Sequence, residues 1–282
     1  MAVDHYENFP VGSILLPRRL RKPIHAIYAF ARVADDYADE GEVSDVTRLD
    51  NLHALSEALV LIGAGKRPVS PLMQRLQDEA IVPFALPIQL FEDLLSAFRQ
   101  DVVCKRYREF AQLVDYSRRS ANPVGRLLLH LYGVDGAKSL AQSDGICTAL
   151  QLINFWQDVA IDWQKNRVYL PQDDMAKFAV TETNIAQQQA TPEFKQLMAY
   201  ECDKAFQMLQ AGSGLVHQLP GRLGWELRLI VLGGQRILQK LEQANYDVFR
   251  ARPVLTRRDW WWMFRQFWKR ADASNKGCGH FG

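Results

Sequence analysis

Hydrophobic positions along this chain recur with helical spacing, and no stretch of alternating apolar and polar β-formers bounded by turns interrupts them. Gly and Pro punctuate the pattern at Gly63 to Pro71, Pro83 to Pro87, Asn122-Pro123, Gly133 to Gly136, Pro171, Pro192, Gly212 to Gly221 and Arg252-Pro253. Segments of roughly 10–25 residues lie between these breaks, which suits helices of several turns. The pattern predicts an all-α fold and a single domain over residues 1–282, with 259–282 as an aromatic and basic tail. Three segments stand out as long helices: Ile24 to Glu40, Ser143 to Trp163 with Ser143 or Asp144 as its N-cap, and Arg222 to Asn245. The Gly233-Gly234 pair in the third predicts a kink or a close helix crossing.

Two of these helices carry carboxylates at helical spacing. In IHAIYAFARVADDYADEG, the positions Tyr28, Arg32, Asp35 and Asp39 share one face, with Asp36 beside it. Ile27, Phe30, Ala31, Val33 and Ala34 fall on the other side, to pack inward or line a cavity. In ALQLINFWQDVAIDWQKNRVYLP, the residues Gln151, Asn154, Asp158 and Asp162 again share a face, while Leu152, Phe155, Trp156 and Val159 occupy the rest. Carboxylates one turn apart repel, and buried they need a cation. Oxygen ligands of this kind suit Mg²⁺, which takes one or two carboxylates together with substrate phosphates. Two such faces turned toward each other would clamp a diphosphate through divalent ions. Arg32, with its planar fork, and Arg167 and Tyr169, just past the second helix, are placed to hold its oxygens.

Composition narrows the setting. The 282 residues are 48% hydrophobic, enough for a large core, and a net charge of +2 gives no field that calls for nucleic acid. Met1 to Pro10 does not read as a signal peptide, and no apolar run is long enough to span a bilayer. The four cysteines, Cys104, Cys147, Cys202 and Cys278, form no CxxC pair and read as reduced thiols of a cytoplasmic protein. ExxH and GxSxG are absent, which argues against a di-iron bundle site and a serine-hydrolase elbow. Glu92-Asp93 reads as a solvated face. The tail interleaves Trp260, Trp261, Trp262, Phe264, Phe267 and Trp268 with Arg265, Lys269 and Arg270. That mix caps a helical core or lies at the inner face of a membrane.

The runs YAFARVADDYADEG, YSRRSANPVG and LQLINFWQDVAIDWQKNRVYLP, in this order, resemble the squalene and phytoene synthase family over roughly Tyr6 to Arg257. Within it, HYENFPVGSILLP and NFWQDVAIDW look most like the hydroxysqualene synthases of bacterial hopanoid pathways. The resemblance implies an isoprenoid-synthase fold around a central cavity and two or three Mg²⁺ ions with diphosphate. The metal residues would be Asp35, Asp36, Asp39, Asp158 and Asp162 with Asn154. Ser13, Tyr28, Arg32, Gln151, Asn154, Arg167 and Tyr169 would contact the substrate's diphosphate end. Tyr116 would line the upper cavity, and Ala121 and Gly125 would allow close approach. Asp101 is turned toward the cavity by the same analogy. The implied catalytic set is Tyr28, Arg32, Asp35, Asp39, Asp158 and Asp162. The expected reaction is ionisation of presqualene diphosphate, with the cation flanked by aromatic residues such as Phe30 or Phe155, and capture by water to hydroxysqualene. No NADPH is expected. Partners would be a prenyl diphosphate, enzymes that form presqualene diphosphate and reduce hydroxysqualene, and peripherally a membrane. Two positions depart from many relatives: Gln157 replaces an Arg, and Gly234 a Tyr. The first is expected to remove a positive charge near the diphosphate, the second to open room in the cavity for water. The alternatives are a synthase condensing two prenyl diphosphates and a non-catalytic helical assembly factor.

Overall fold

A computed structural model of the chain describes residues 17–219, 221–250 and 252–268. Ser13, Lys269, Arg270, Cys278 and the side chains of Phe267 and Trp268 lie outside what it describes. In chain order the helices are α1 (Arg18–Asp39), α2 (Asp45–Gly63), α3 (Pro71–Leu76), α4 (Val82–Phe84), α5 (Ile88–Val103), α6 (Phe110–Ser120) and α7 (Asn122–Tyr132). They continue as α8 (Ala137–Gln157), α9 (Val159–Gln164), α10 (Gln172–Lys177), α11 (Glu182–Ala186), α12 (Pro192–Gly212), α13 (Gly221–Gln243) and α14 (Arg257–Trp268). A π turn at Gln77–Ile81 and a 3₁₀ turn at Ser213–His217 complete the set. The described residues hold no sheet; a lone bridge joins Arg106 to Val168.

Local chemistry explains several ends. Ser44 caps α2 by accepting from the Thr47 amide, and Thr191 caps α12 from the Phe194 amide, with Pro192 next in line. Glu109 and Gln112 form a reciprocal capping box on α6. Gly133, at φ 72°, ends α7 in the left-handed region that suits glycine. The second motif helix differs from expectation. It starts six residues earlier, at Ala137, so Ser143 is buried mid-helix and Asp144 pairs with Arg126 at 2.6 Å rather than capping. It also breaks at Asp158, whose φ of −104° and ψ of 12° leave the helical range. The Asp162 amide still bonds the Asp158 carbonyl at 2.8 Å, so the one-turn spacing of the two carboxylates survives the break.

Two apolar cores form. One joins α1, α2, α3, α5 and α7 around Phe30, Leu52, Leu59, Phe91 and Leu94. The other joins α6, α8, α12 and α13 around Trp156, Phe194, Leu197, Leu209 and Leu241. Close crossing of α8 and α12 depends on Gly212, where a Cβ would sit 2.5 Å from the Gln142 carbonyl oxygen. The Gly233-Gly234 pair lies within unbroken α13, and Gly234 marks a close crossing, against Leu150 and Ile153 of α8 and Leu209 of α12. A central cavity lies where the two cores face each other, walled by α1, α5, α6, α7, α8, α9 and α13.

Candidate active site

The two carboxylate faces meet at one end of this cavity. Asp35 and Asp39 of α1 line it with Asp162 of α9, and so do Gln151 and Asn154 of α8, Arg167, Tyr169, Tyr116 and Asp101. The faces are joined directly. Lys165 bonds Asp39 at 2.6 Å, and Arg167 donates to the other oxygen of the same carboxylate. Arg167 and Tyr169 reach this position because their strand of chain pairs with the one after α5. The Val168 amide bonds the Lys105 carbonyl at 3.0 Å, and the Gln172 amide bonds that of Tyr107 at 2.9 Å.

Electrostatics separate the carboxylates into held and unheld. Burial works against charge at Asp39, yet Arg167 and Lys165 keep its carboxyl below the usual range. Asp35 is pushed up to about 7 by burial and by the neighbouring Asp39, with Arg32 only 3.7 Å away in partial compensation. Asp162 is pushed up to about 8 by burial and by Asp158, and has no ion pair among the described residues. Asp101 is pushed up to about 6 by burial, opposed by Arg167 and by the Tyr116 hydroxyl that donates to it at 2.8 Å. Its other oxygen is buried without a hydrogen-bond partner among the described residues. Carboxylates this crowded and this short of cations fit a site that takes one up. No group of three His, Cys, Asp or Glu among the described residues converges on one point. Mg²⁺ does not need one, since water and phosphate oxygens complete its shell.

Above the carboxylates the wall turns aromatic. Tyr169 stacks on Phe155 with centroids 3.7 Å apart, and Tyr116 leans on both at 6.2 and 6.1 Å. Ala121, which precedes α7, and Gly125 on it follow; a Cβ at Gly125 would lie 2.5 Å from the Ser143 hydroxyl.

Other expected residues stand elsewhere. Asp158 is buried but off the lining, because Arg252 grips both its oxygens in a fork. Tyr28, Arg32 and Asp36 are also off the lining; Arg32 turns along α1 to Asp36 at 3.0 Å and Glu40 at 2.9 Å. Phe30 is not a cavity residue: it packs edge-on against Phe91 in the first core, 5.4 Å between centroids. Glu92 is not freely solvated, since it accepts from Ser56 at 2.9 Å and is half-buried beside Arg99. The two departures also read differently. The Gln157 side chain donates to the Pro253 carbonyl at 2.6 Å, and the adjacent Arg252 brings a guanidinium to Asp158. Gly234 opens no room, because Leu150, Leu209 and Ile153 fill the space its Cβ would take, at 2.9 to 3.4 Å. Sequence reasoning missed Lys165 and Arg252; an Arg beside the Pro253 break was the only available signal for the latter.

This fold and site define an all-α enzyme acting on isoprenoid diphosphates. The sequence profile of the squalene/phytoene synthase family matches residues 2–259, and the chain belongs to that family. It is 32% identical over 247 residues to the hydroxysqualene synthase of Sinorhizobium fredii, covering 86% of this chain and 82% of that protein. It is 29% identical over 258 residues to the 15-cis-phytoene synthase of Synechococcus elongatus, covering 87% and 83%. Among solved structures, squalene synthase HpnC from Alicyclobacillus acidocaldarius superposes with a TM-score of 0.79 at 36% identity, over 86% of this chain and 90% of that one. Family membership carries the expectation of divalent-metal-dependent isoprenoid chemistry.

Proposed function

We propose that the protein ionises presqualene diphosphate with Mg²⁺ and captures the cation with water, releasing hydroxysqualene and diphosphate. The observation that carries this reading is that Asp35, Asp39 and Asp162 line one cavity whose other walls are largely aromatic and apolar. The similarity to hydroxysqualene synthases supports it over the two-substrate condensation. When bound, Mg²⁺ supplies positive charge against the departing diphosphate. Asp35, Asp39 and Asp162 hold the ions with Asn154, and Arg167, already oriented by Asp39, takes a diphosphate oxygen. Asp36, Asp158, Tyr28 and Arg32 support these groups from behind the lining. Tyr116, Phe155 and Tyr169 shield the cation with ring faces and exclude bulk water. The carbon–oxygen bond to phosphate breaks, a bond to a water oxygen forms, and that water's proton leaves with the diphosphate. No electrons are transferred, so the reaction calls for no reductant.

The chain acts as one domain, 1–282. Its last described helix bears a surface for a lipid bilayer. Trp260, Trp261 and Phe264 are exposed beside Arg257, Arg258 and Arg265, while Met263 is buried and Asp259 pairs with Arg236 and Lys240 of α13. No described helix is long and apolar enough to cross a membrane. Rings with interspersed arginines suit peripheral contact with anionic lipid.

Mass spectrometry of products from purified protein, Mg²⁺ and either presqualene diphosphate or farnesyl diphosphate tests the assignment. Hydroxysqualene from the first alone is expected. A C30 product from farnesyl diphosphate alone favours the condensing alternative.

A further inference from the structure

Two arginines on paired segments of chain are used in opposite ways. Arg167 lines the cavity and donates to Asp39, and its Nε is buried with no hydrogen-bond partner among the described residues. An open donor of this kind on a cavity wall suits the oxygen of an anion. Arg106, in the connector between α5 and α6, has no donor to spare. Its Nε and Nη2 fork the two oxygens of Glu182, the second at 2.9 Å. Its Nη1 donates to the carbonyls of Lys105, at 2.9 Å, and of Asn166. Nη2 also reaches the Asn166 side-chain oxygen at 3.1 Å. All five N–H groups of this guanidinium are spent on protein. Its central carbon lies over the Trp163 ring, 5.8 Å from the centroid.

These partners surround the turn that delivers Arg167. Trp163 belongs to α9, Asn166 immediately precedes Arg167, and Glu182 opens α11. Asn166 holds φ at 56°, in the left-handed region that few side chains other than Asn and Asp enter readily. Arg106 grips that one residue twice, by its carbonyl and by its side-chain amide. The Arg167 amide then closes the turn on the Asp162 carbonyl at 2.8 Å. The direction in which Arg167 leaves the turn is thereby tied to a guanidinium that is not on the cavity lining.

We propose that Arg106 is a positioning residue: by fixing Asn166 in its left-handed turn, it aims the Arg167 side chain at the bound diphosphate. This rests on the reading of Arg167 as a diphosphate ligand. A lysine in place of Arg106 keeps the charge but donates from a single point, and cannot hold a carboxylate fork, two carbonyls and an amide together. With the turn loosened, Arg167 has to be ordered at the moment of binding, and the hold on the anion weakens.

The test is calorimetric titration of the full chain with inorganic pyrophosphate and Mg²⁺. Arg106→Lys should weaken pyrophosphate binding by about tenfold. Arg236→Lys is the control. That guanidinium is also held between a carboxylate, Asp259, and an indole, Trp262, but it is not on the cavity lining and does not touch the Asn166 turn. Its loss should leave the affinity unchanged. Asn166→Gly, which adopts the left-handed turn freely, should bind more tightly than Asn166→Ala, which resists it. Asn166→Ala also stands in for Arg106→Lys if far-ultraviolet circular dichroism shows that variant misfolded. Native affinity in folded Arg106→Lys, or an equal loss in Arg236→Lys, overturns the positioning role. Equal affinity of the two Asn166 variants overturns it as well. Failure of the native chain to bind pyrophosphate overturns the diphosphate reading of Arg167 itself, and the role of Arg106 with it.

Discussion

The two aspartate-bearing helices began as near copies in pattern and ended as different devices. On α1 the helix runs unbroken past Asp35 to Asp39, and both carboxylates line the cavity. On α8 the helix breaks at Asp158, and only Asp162 beyond the break lines it. Asp158 has instead been claimed by Arg252, from a segment 94 residues further on. On α1, Asp39 is cross-linked to the other side through Lys165 and Arg167, while Asp162 is left without an ion pair among the described residues. A repeated DxxxD spacing therefore fixes which residues share a face, but not which of them a partner elsewhere in the chain will occupy.

The largest expected effect probes the carboxylates that line the cavity. Asp35→Asn and Asp162→Asn should each lower Mg²⁺-dependent diphosphate release by on the order of 10³-fold, with the helical circular dichroism spectrum intact. Colorimetric assay of released phosphate after pyrophosphatase treatment measures it. Native-level activity in both variants would end the metal assignment.

Next in size is the Arg252 fork. Arg252→Ala leaves Asp158 buried and unpaired, and should cost about 2 kcal/mol in urea unfolding, allowing for the partial exposure of the arginine. Asp158→Asn should cost less, since it removes the charge that needs the partner. Asp162→Asn should raise the stability of the metal-free protein, because the buried carboxyl has to take up a proton on folding and the amide does not. If Asp158→Asn and Asp162→Asn shift the urea midpoint alike, the distinction between the two positions fails.

How much of this was legible in the chain depends on the range of the interaction. The α1 face, its buried side of Ile27, Ala31 and Ala34, and the position of Asp39 follow from 3.6-residue spacing, which is local. The same spacing assigned Phe30 to an inward face without saying which of two cores lay there. The break at Asp158 has no Gly or Pro to announce it. The Arg252 fork and the Gln157 bond to Pro253 are tertiary, formed by segments far apart in sequence. Tyr116 and Asp101 were reached through family likeness, because one phenol and one carboxylate on separate helices make no pattern before the helices are packed.

A smaller effect follows from protons on the unheld carboxylates. Asp35 and Asp162 keep theirs in the native state up to about 7 and about 8, whereas the unfolded chain releases them near 3.8. Between those values the native state binds more protons, so stability falls as pH rises. The metal-free protein should melt several degrees lower at about pH 8 than at about pH 6, and Asp162→Asn should flatten the slope. Mg²⁺ with inorganic pyrophosphate should stabilise most at the higher pH, because metal binding needs the carboxylates deprotonated. Scanning calorimetry at both pH values checks this; a slope of the opposite sign without metal would contradict the assignment.

The smallest effect is the most informative about the second helix. Gln157→Leu keeps the volume but leaves the Pro253 carbonyl without its donor, at a cost of about 1 kcal/mol. Gln157→Arg introduces the arginine that the family resemblance leads one to expect at this position. Alone it crowds a second guanidinium against Arg252 and should destabilise. In an Arg252→Ala background the new arginine has an empty partner position at Asp158, and the double variant should recover part of what Arg252→Ala lost. Recovery in the urea midpoint would mean that the carboxylate before the break requires a guanidinium and is indifferent to which segment delivers it. Additive losses would mean instead that Arg252 acts mainly by holding its own segment against α8, and that Asp158 is free to serve the cavity once that segment moves.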